Sequence, residues 1–517
     1  MAKPRVLFLG LDGLSWSVYR RLRGRGFLRS LAALEPRAVT GSVDMFPPLT
    51  PPMWTSMTSG VNPGKHGIYN FGPVDPSTGR RPRLYNALDV DAPRIHDIVS
   101  YRGGSSLVVN LPLSSWPPIP FRGALVSDWL SPKDYARPDW LDKSFRRELE
   151  ERREWSREGP CGKVARDAAA AAALLDRIDK LLDYDYYFIM FSVVDALMHK
   201  HPDELLDPRE PCIRETLELV DDVFKTLIEA FRGEATIIAA SDHGNEPVRY
   251  RVTIPRALYE AGLVKPRYEP LERRLRRDRK VRSLPSPVLA VVNALVEMPL
   301  LGRAVIGVGR RLVRRRGLFW IAQGVKRPVP DPENSIVVTP LPWYYDFYVN
   351  PRYSAEREKI IARVVEVLEE AMKSTGHRFI HRVEPGRHVF HGPHEGEAPD
   401  IVLSPAEGYD LGGLNLQAPI VERVDGSWGN HTPYNMHMIA VEDGRPDLVE
   451  AAKAVREPWD YAAFALYALG IPQPGDSDSG LCSRARLRCA TANYRSRYML
   501  AKRLAARLGR GAPRQSS

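Results

Sequence analysis

Carboxylates and imidazoles recur in this chain just past apolar runs. Asp12 follows VLFLGL, Asp195 follows FIMFSVV, and the pair Asp242–His243 follows TIIAAS. Asp195 and His199 are four residues apart, so a helical VDALMHKH puts both on one face, at a spacing suited to chelating a metal ion. His431, in SWGNHTPYNMH, offers a further imidazole from late in the chain. Each has an ordinary explanation when taken singly: an Asp after a strand caps a turn, and an Asp/His pair at helical spacing is usually a surface pair. Their joint occurrence at successive strand ends is what points to chemistry.

One hydroxyl stands beside them. Residues 49–67 read LTPPMWTSMTSGVNPGKHG. Thr50 directly before Pro51 and Pro52 predicts an N-cap, with the prolines opening the first turn, a short helix to about Ser59 and Gly60 as its stop. The Thr50 oxygen then lies at the positive end of the helix dipole, which favours negative charge.

The elements that must position these groups alternate along the chain. RVLFLGLDG (5–13), SSLVVNLPL (105–113), YDYYFIMFSVVD (184–195) and EATIIAASDHG (234–244) read as buried strands. Helical patterns separate them at 164–183 and 212–231. Continuous apolar strands alternating with helices predict a mostly parallel sheet covered on both faces. In such a sheet, ligands bind beyond the carboxyl ends of the strands, which is where the acidic and imidazole residues fall. Further strands are expected at 335–341, 345–350 and 399–405, and an amphipathic helix at 355–374.

The domain organisation expected is a core of residues 1–245 and 335–474, an insertion at 246–334 and a basic tail at 475–517. The net charge of +11 is concentrated in two segments. Residues 271–316 carry 13 Lys/Arg against Glu272, Asp278 and Glu297, and residues 481–517 carry 10 Lys/Arg and no acid. Such blocks are usually a solvated face or a disordered tail; otherwise they address an anionic partner. Residues 271–316 also interleave apolar residues with arginine, which makes an anionic membrane surface the candidate partner. They lack interleaved aromatics, so specific nucleic-acid binding is not expected. The four cysteines, Cys161, Cys212, Cys482 and Cys489, form no CxxC pair and suggest no disulfide framework. The start, MAKPRVLFLGLDG, has no apolar region and cleavage site of the secretory kind, and no stretch of about 18 apolar residues is free of charge or proline. The expectation is cytoplasmic, with the inner face of the membrane as a second address.

FLGLDG, TPPMWTSMTSGVNPGKHGIYNF, SVVDALMH, AASDHG and GNH together resemble the alkaline phosphatase superfamily, and within it the type I phosphodiesterase/nucleotide pyrophosphatase family. The resemblance implies an α/β, alkaline-phosphatase-like three-layer sandwich: a mostly parallel central sheet with helices on both faces, here with a helical basic insertion. It also implies two metal sites, one of Asp195, His199 and His431, the other of Asp12, Asp242 and His243 with Thr50 as a further ligand. Mixed oxygen and nitrogen donors suit two zinc ions, with manganese as the alternative. His201, His391 and His394 are rival imidazoles of lower rank, because His201 breaks the four-residue spacing and the other two sit in a Gly/Pro/Glu loop.

The same resemblance implies a mechanism. Thr50 would attack phosphorus and form a covalent phospho-threonine, with Asn70 donating to a non-bridging oxygen. Sulfatases of the superfamily use Cys or Ser followed by x-Pro-x-Arg, whereas Thr50 is followed by Pro51, Pro52, Met53 and Trp54. The expected activity is hydrolysis of a small-molecule phosphodiester or of a nucleotide pyrophosphate bond. Transfer of the phospho-group to another acceptor through the same threonine is an alternative; a membrane-peripheral binding protein with a vestigial hydrolase core is another. Trp54 and Phe71 are candidates to line a leaving-group pocket, or plain core residues.

Overall fold

A computed structural model describes residues 5–155, 159–268, 328–340 and 345–509. Its centre is an eight-stranded sheet. Seven of the strands are β1 (Arg5–Leu11), β2 (Val39–Gly41), β3 (Ser106–Val109), β4 (Gly123–Val126), β5 (Ala136–Arg137), β6 (Tyr186–Phe191) and β7 (Ala235–Ala240); the eighth is His437–Ala440. β7, β1, β6, β3 and β4 run parallel in that order. His437–Ala440 then pairs antiparallel with β7 and β2, and β5 pairs antiparallel with β4.

Every residue of β6 and β7 is buried, as expected of strands covered on both faces. The period of two along β1 shows how. Leu7, Leu9 and Leu11 face one apolar layer with the helices Cys161–Asp176 and Pro211–Ala230. Val6 and Phe8 face the other, with Met53, Trp54 and Met57 of the helix Thr50–Ser59 and the helix Asp460–Ala468. The result is the three-layer α/β sandwich that the strand pattern predicts.

A second, smaller core packs the helices Ile254–Glu260 and Arg357–Thr375 on a four-stranded sheet. That sheet consists of Val337–Val338, Asp346–Val349, Ile401–Pro405 and Ile380–Pro385. Val252, Ile254 and Leu258 belong to this core together with residues from after position 336. The strand Gly244–Pro247 pairs with Gly429–Thr432, which brings His431 opposite Asn245. The stretch that begins at residue 246, read as an insertion, thus starts as an integral part of the packing. The helical basic insertion itself, including residues 271–316 and the membrane contact suggested for them, lies outside the described residues.

One sequence reading needs correction, and the basic tail gains a position. The cysteines are joined in pairs, Cys161–Cys212 with Cα atoms 5.6 Å apart and Cys482–Cys489 with Cα atoms 6.1 Å apart. The first pair bridges two packed helices from 51 positions apart, a proximity that spacing alone does not reveal. Unpaired cysteines therefore no longer argue for a reducing compartment. The basic tail, in turn, folds onto the body as far as it is described: Arg495–Gly509 is helical, Tyr498 is fully buried, and Arg495 pairs with Asp91 at 2.6 Å. Among the described residues, no helix is long and apolar enough to cross a membrane.

Candidate active site

The carboxyl ends of the parallel strands carry the site. Asp12 follows β1 directly, Asp195 and His199 lie on the turn of helix after β6, and Asp242–His243 follow β7. His431 arrives from the other side on the strand Gly429–Thr432. Gly13 has φ of 71°, and a Cβ there would stand 3.1 Å from Asp195 Oδ1, so only glycine lets the β1 turn approach the β6 turn this closely.

Two groups of donor atoms result. Asp195, His199 and His431 form one, and Asp12, Asp242 and His243 the other; within each, the ligand atoms lie inside 4.8 Å of one another. In the first, Asp195 Oδ1 is 3.2 Å from His199 Nε2 and 3.3 Å from His431 Nε2. In the second, His243 Nε2 is 3.3 Å from Asp242 Oδ2 and 3.6 Å from Asp12 Oδ1. The two groups adjoin, because the His243 and His431 rings stack at 3.7 Å between centroids.

Thr50 joins the second group, with Oγ1 3.2 Å from His243 Nε2. Here the structure corrects the capping expectation. The helix begins at Thr50 itself, Leu49 is its N-cap, and no side chain caps it. The reason is local. Pro51 and Pro52 have no N–H to offer the hydroxyl, and the Met53 N–H donates to the Leu49 carbonyl at 3.1 Å. The hydroxyl is left to face His243. Gly60 ends the helix in the left-handed conformation, as expected.

The imidazoles are oriented by their outer nitrogens. His431 Nδ1 donates to the Pro48 carbonyl at 2.7 Å and His243 Nδ1 to the Gly244 carbonyl at 3.0 Å. Both Nε2 lone pairs are thereby turned inward, the tautomer a metal ligand requires. The carboxylates make the same case. Asp12 Oδ1 and Asp242 Oδ2 are buried without a hydrogen-bond partner. Burial, reinforced by the charges of Asp242 and Asp195, raises the Asp12 carboxyl well above the ordinary carboxylate range. Burial, with the Asp195 charge adding to it, pushes Asp242 up to about 8. For Asp195, burial acts in the same direction but is overcome by His199 and His431, which hold it well below the usual range. Burial, followed by the neighbouring His431, depresses His243. Orphaned anionic oxygens next to inward-facing imidazole lone pairs in a dry site are what divalent cations neutralise, so the residues fit the metals.

The remaining candidates belong to neither ligand group. Asn70 is buried; its Oδ1 accepts the Phe71 N–H at 2.8 Å and its Nδ2 donates to Asp346 at 3.2 Å. Trp54 is fully buried, edge-on to Phe8 and Phe188, and is a core residue rather than a pocket wall. Phe71 pairs with the half-exposed Trp129, ring centroids 6.0 Å apart. Among the rival imidazoles, His201 pairs with Glu204, His391 with Asp478 and His394 with Asp91, and none belongs to either group. Sequence reading missed Asn245, whose Nδ2 donates to Asp195 at 2.9 Å, and Ser192, whose hydroxyl reaches Asp12 at 3.4 Å. The signal for Asn245 was its place two residues after the Asp242–His243 pair.

The sequence profile of the type I phosphodiesterase/nucleotide pyrophosphatase family matches residues 6–418. The chain belongs to that family. As a type I phosphodiesterase/nucleotide pyrophosphatase family member it is a hydrolase, of a kind that works with divalent metal ions. No curated protein matches it in sequence. Among solved structures, it is similar to phosphonoacetate hydrolase from Sinorhizobium meliloti in complex with phosphonoformate, at 14% identity and a TM-score of 0.53, covering 90% of this chain and 96% of that one. The same enzyme with phosphonoacetate gives a TM-score of 0.52 at 14% identity, with coverage of 90% and 96%. Murine ectonucleotide pyrophosphatase/phosphodiesterase 5 follows at 14% identity and a TM-score of 0.44, covering 91% of this chain and 96% of that one. At such identities the phosphonoacetate hydrolase likeness speaks to the fold of this family member.

Proposed function

We propose that the protein hydrolyses phosphodiester or pyrophosphate bonds of small molecules through a covalent phospho-threonine at Thr50. The observation that carries this reading is the Thr50 hydroxyl at 3.2 Å from His243 Nε2, against two adjoining groups of side chains able to hold a metal ion. Two divalent ions, held by Asp195, His199 and His431 and by Asp12, Asp242, His243 and Thr50, would supply Lewis acidity to the attacking and leaving oxygens; zinc suits the donors best and manganese is the alternative.

The chain's own residues do the rest. The helix that starts at Thr50 fixes the nucleophile, because Pro51 has its φ locked and the Thr50 hydroxyl spends no hydrogen bond on capping. Thr50 Oγ1 forms the bond to phosphorus as the bond to the leaving oxygen breaks; water then cleaves the phosphorus–Oγ1 bond and restores the hydroxyl. Asn70 holds one side-chain N–H on Asp346, which leaves the other free to donate to a non-bridging oxygen.

The test is a substrate panel run before and after chelation. The purified protein is expected to cleave an aryl phosphodiester and a nucleotide pyrophosphate, to lose both activities when its metals are stripped, and to recover them with zinc or manganese. Full activity after verified removal of metal would overturn the reading.

A further inference from the structure

Asn245 has no place in the mechanism above, yet its setting is unusual. It is completely buried, on the strand Gly244–Pro247, directly across the ladder from His431. Its Nδ2 donates to Asp195 Oδ1 at 2.9 Å. Its Oδ1 is buried with no hydrogen-bond partner. The orientation of the amide is fixed by this contact, since the flipped form would set a carbonyl oxygen against a carboxylate. A buried amide that satisfies its donor end and leaves its acceptor end empty is a poor packing choice; an apolar side chain of similar volume would leave nothing unsatisfied. What the site gains is the N–H.

The atom receiving that N–H is the one on which the cluster converges. Asp195 Oδ1 is the oxygen 3.2 Å from His199 Nε2 and 3.3 Å from His431 Nε2. The neighbouring backbone is shaped to admit the amide. A Cβ at Gly429 would stand 2.9 Å from Asn245 Oδ1 and 2.3 Å from Met198 Cγ. A neutral amide is also the donor this position requires. A lysine or arginine here would compete with the metal for the carboxylate, and an aspartate would repel it.

We infer that Asn245 is a positioning residue: its side-chain N–H pins Asp195 Oδ1 where both imidazole nitrogens reach it, and so sets the metal affinity of the Asp195–His199–His431 half of the centre. The inference rests on the two-metal reading above and extends it to a residue outside both ligand sets.

The test compares the full-length protein with Asn245→Leu, which removes the N–H and fills the space, and with Asn245→Asp, which keeps the shape and removes the donor. Zinc is measured by elemental analysis and by competition with a chromophoric chelator, and folding by circular dichroism. Wild type is expected to hold two zinc ions per chain. Both variants are expected to fold and to bind one of the two ions about 10–100-fold more weakly, the range typical of lost outer-shell partners. Two ions held at wild-type affinity by a folded Asn245→Leu protein would overturn the inference and leave the metal centre intact. A wild-type protein that binds no zinc would instead overturn the underlying reading.

Discussion

Thr50 Oγ1 and His243 Nε2 stand 3.2 Å apart across 193 residues of sequence. The contact joins the start of a helix on one face of the sheet to the strand end after β7, and it gives the hydroxyl an imidazole lone pair and two carboxylates as its neighbourhood. Thr50→Ala is expected to lower hydrolysis of an aryl phosphodiester by several orders of magnitude while the melting temperature stays near wild type. Thr50→Ser keeps a hydroxyl and is expected to retain measurable turnover. Acid-quenched wild-type protein should carry a phospho adduct on the peptide containing Thr50, and the alanine variant should not. Wild-type turnover in Thr50→Ala would remove the nucleophile assignment.

Asn70 makes a narrower case. Its carbonyl oxygen is held by the Phe71 N–H and one amide hydrogen by Asp346, so the amide is fixed before any substrate arrives. In the proposed role of donor to the developing charge, it is expected to cost about 10²–10³-fold in kcat when changed to alanine, with a smaller effect on KM. Steady-state kinetics on one diester checks this. A change confined to KM would make Asn70 a ground-state contact instead.

How far the sequence could be read follows from the range of each signal. The parallel strands were legible because burial on both faces writes an unbroken apolar run, as in YYFIMF of β6. Asp12, Asp195 and Asp242–His243 were legible because strand ends place them without further information. His431 depended on the pairing of two strands far apart in sequence: its residue type and position offered it only as a further imidazole, and the family resemblance put it in a ligand set. The disulfide Cys161–Cys212, the contact of Asn245 with Asp195, and the docking of the last helix are set by packing between segments far apart in sequence, for which no local pattern exists. The capping error at Thr50 has a different origin: the residue type was right for a cap, but the two prolines after it removed the N–H groups a cap would serve.

Acid should destabilise the fold through His66, by an amount that can be isolated. Its ring is fully buried beside the helix Thr50–Ser59; the Ile68 N–H donates to Nδ1 at 3.1 Å, which leaves the Nε2–H for Ser56 Oγ at 3.0 Å. Burial, and secondarily the His394 charge, lowers its pKa to about 3. The unfolded chain therefore binds a proton near pH 6.5 that the folded chain refuses until about pH 3. Stability from this group is complete above pH 6.5 and is lost as pH falls through that window, by about 1.4 kcal/mol per pH unit. Urea unfolding at pH 7, 5.5 and 4.5 should show His66→Gln with a shallower loss, by about 1 kcal/mol per unit over this range. Parallel pH profiles for the two proteins would contradict the assignment.

The final helix is expected to hold the body together rather than to trail from it. Tyr498 is fully buried, and its hydroxyl donates to the Val90 carbonyl at 2.9 Å. Lys502 Nζ reaches the same carbonyl at 2.8 Å, and Arg495 pairs with Asp91 at 2.6 Å. The next residue but one on that loop, Ala92, leads into the helix Ile95–Tyr101 beneath the central sheet, so the tail is anchored to an element of the core. Removing the aromatic ring leaves a cavity and takes one of its two donors from the Val90 carbonyl, whereas removing the Arg495 pair, which is partly exposed, breaks only a screened contact. Tyr498→Ala should therefore cost about 3–5 kcal/mol in urea unfolding, and Arg495→Ala under about 1 kcal/mol. Both should leave KM unchanged, since neither residue touches the metal-ligating groups. Equal and negligible losses from the two substitutions would show that the helix does not pack as described.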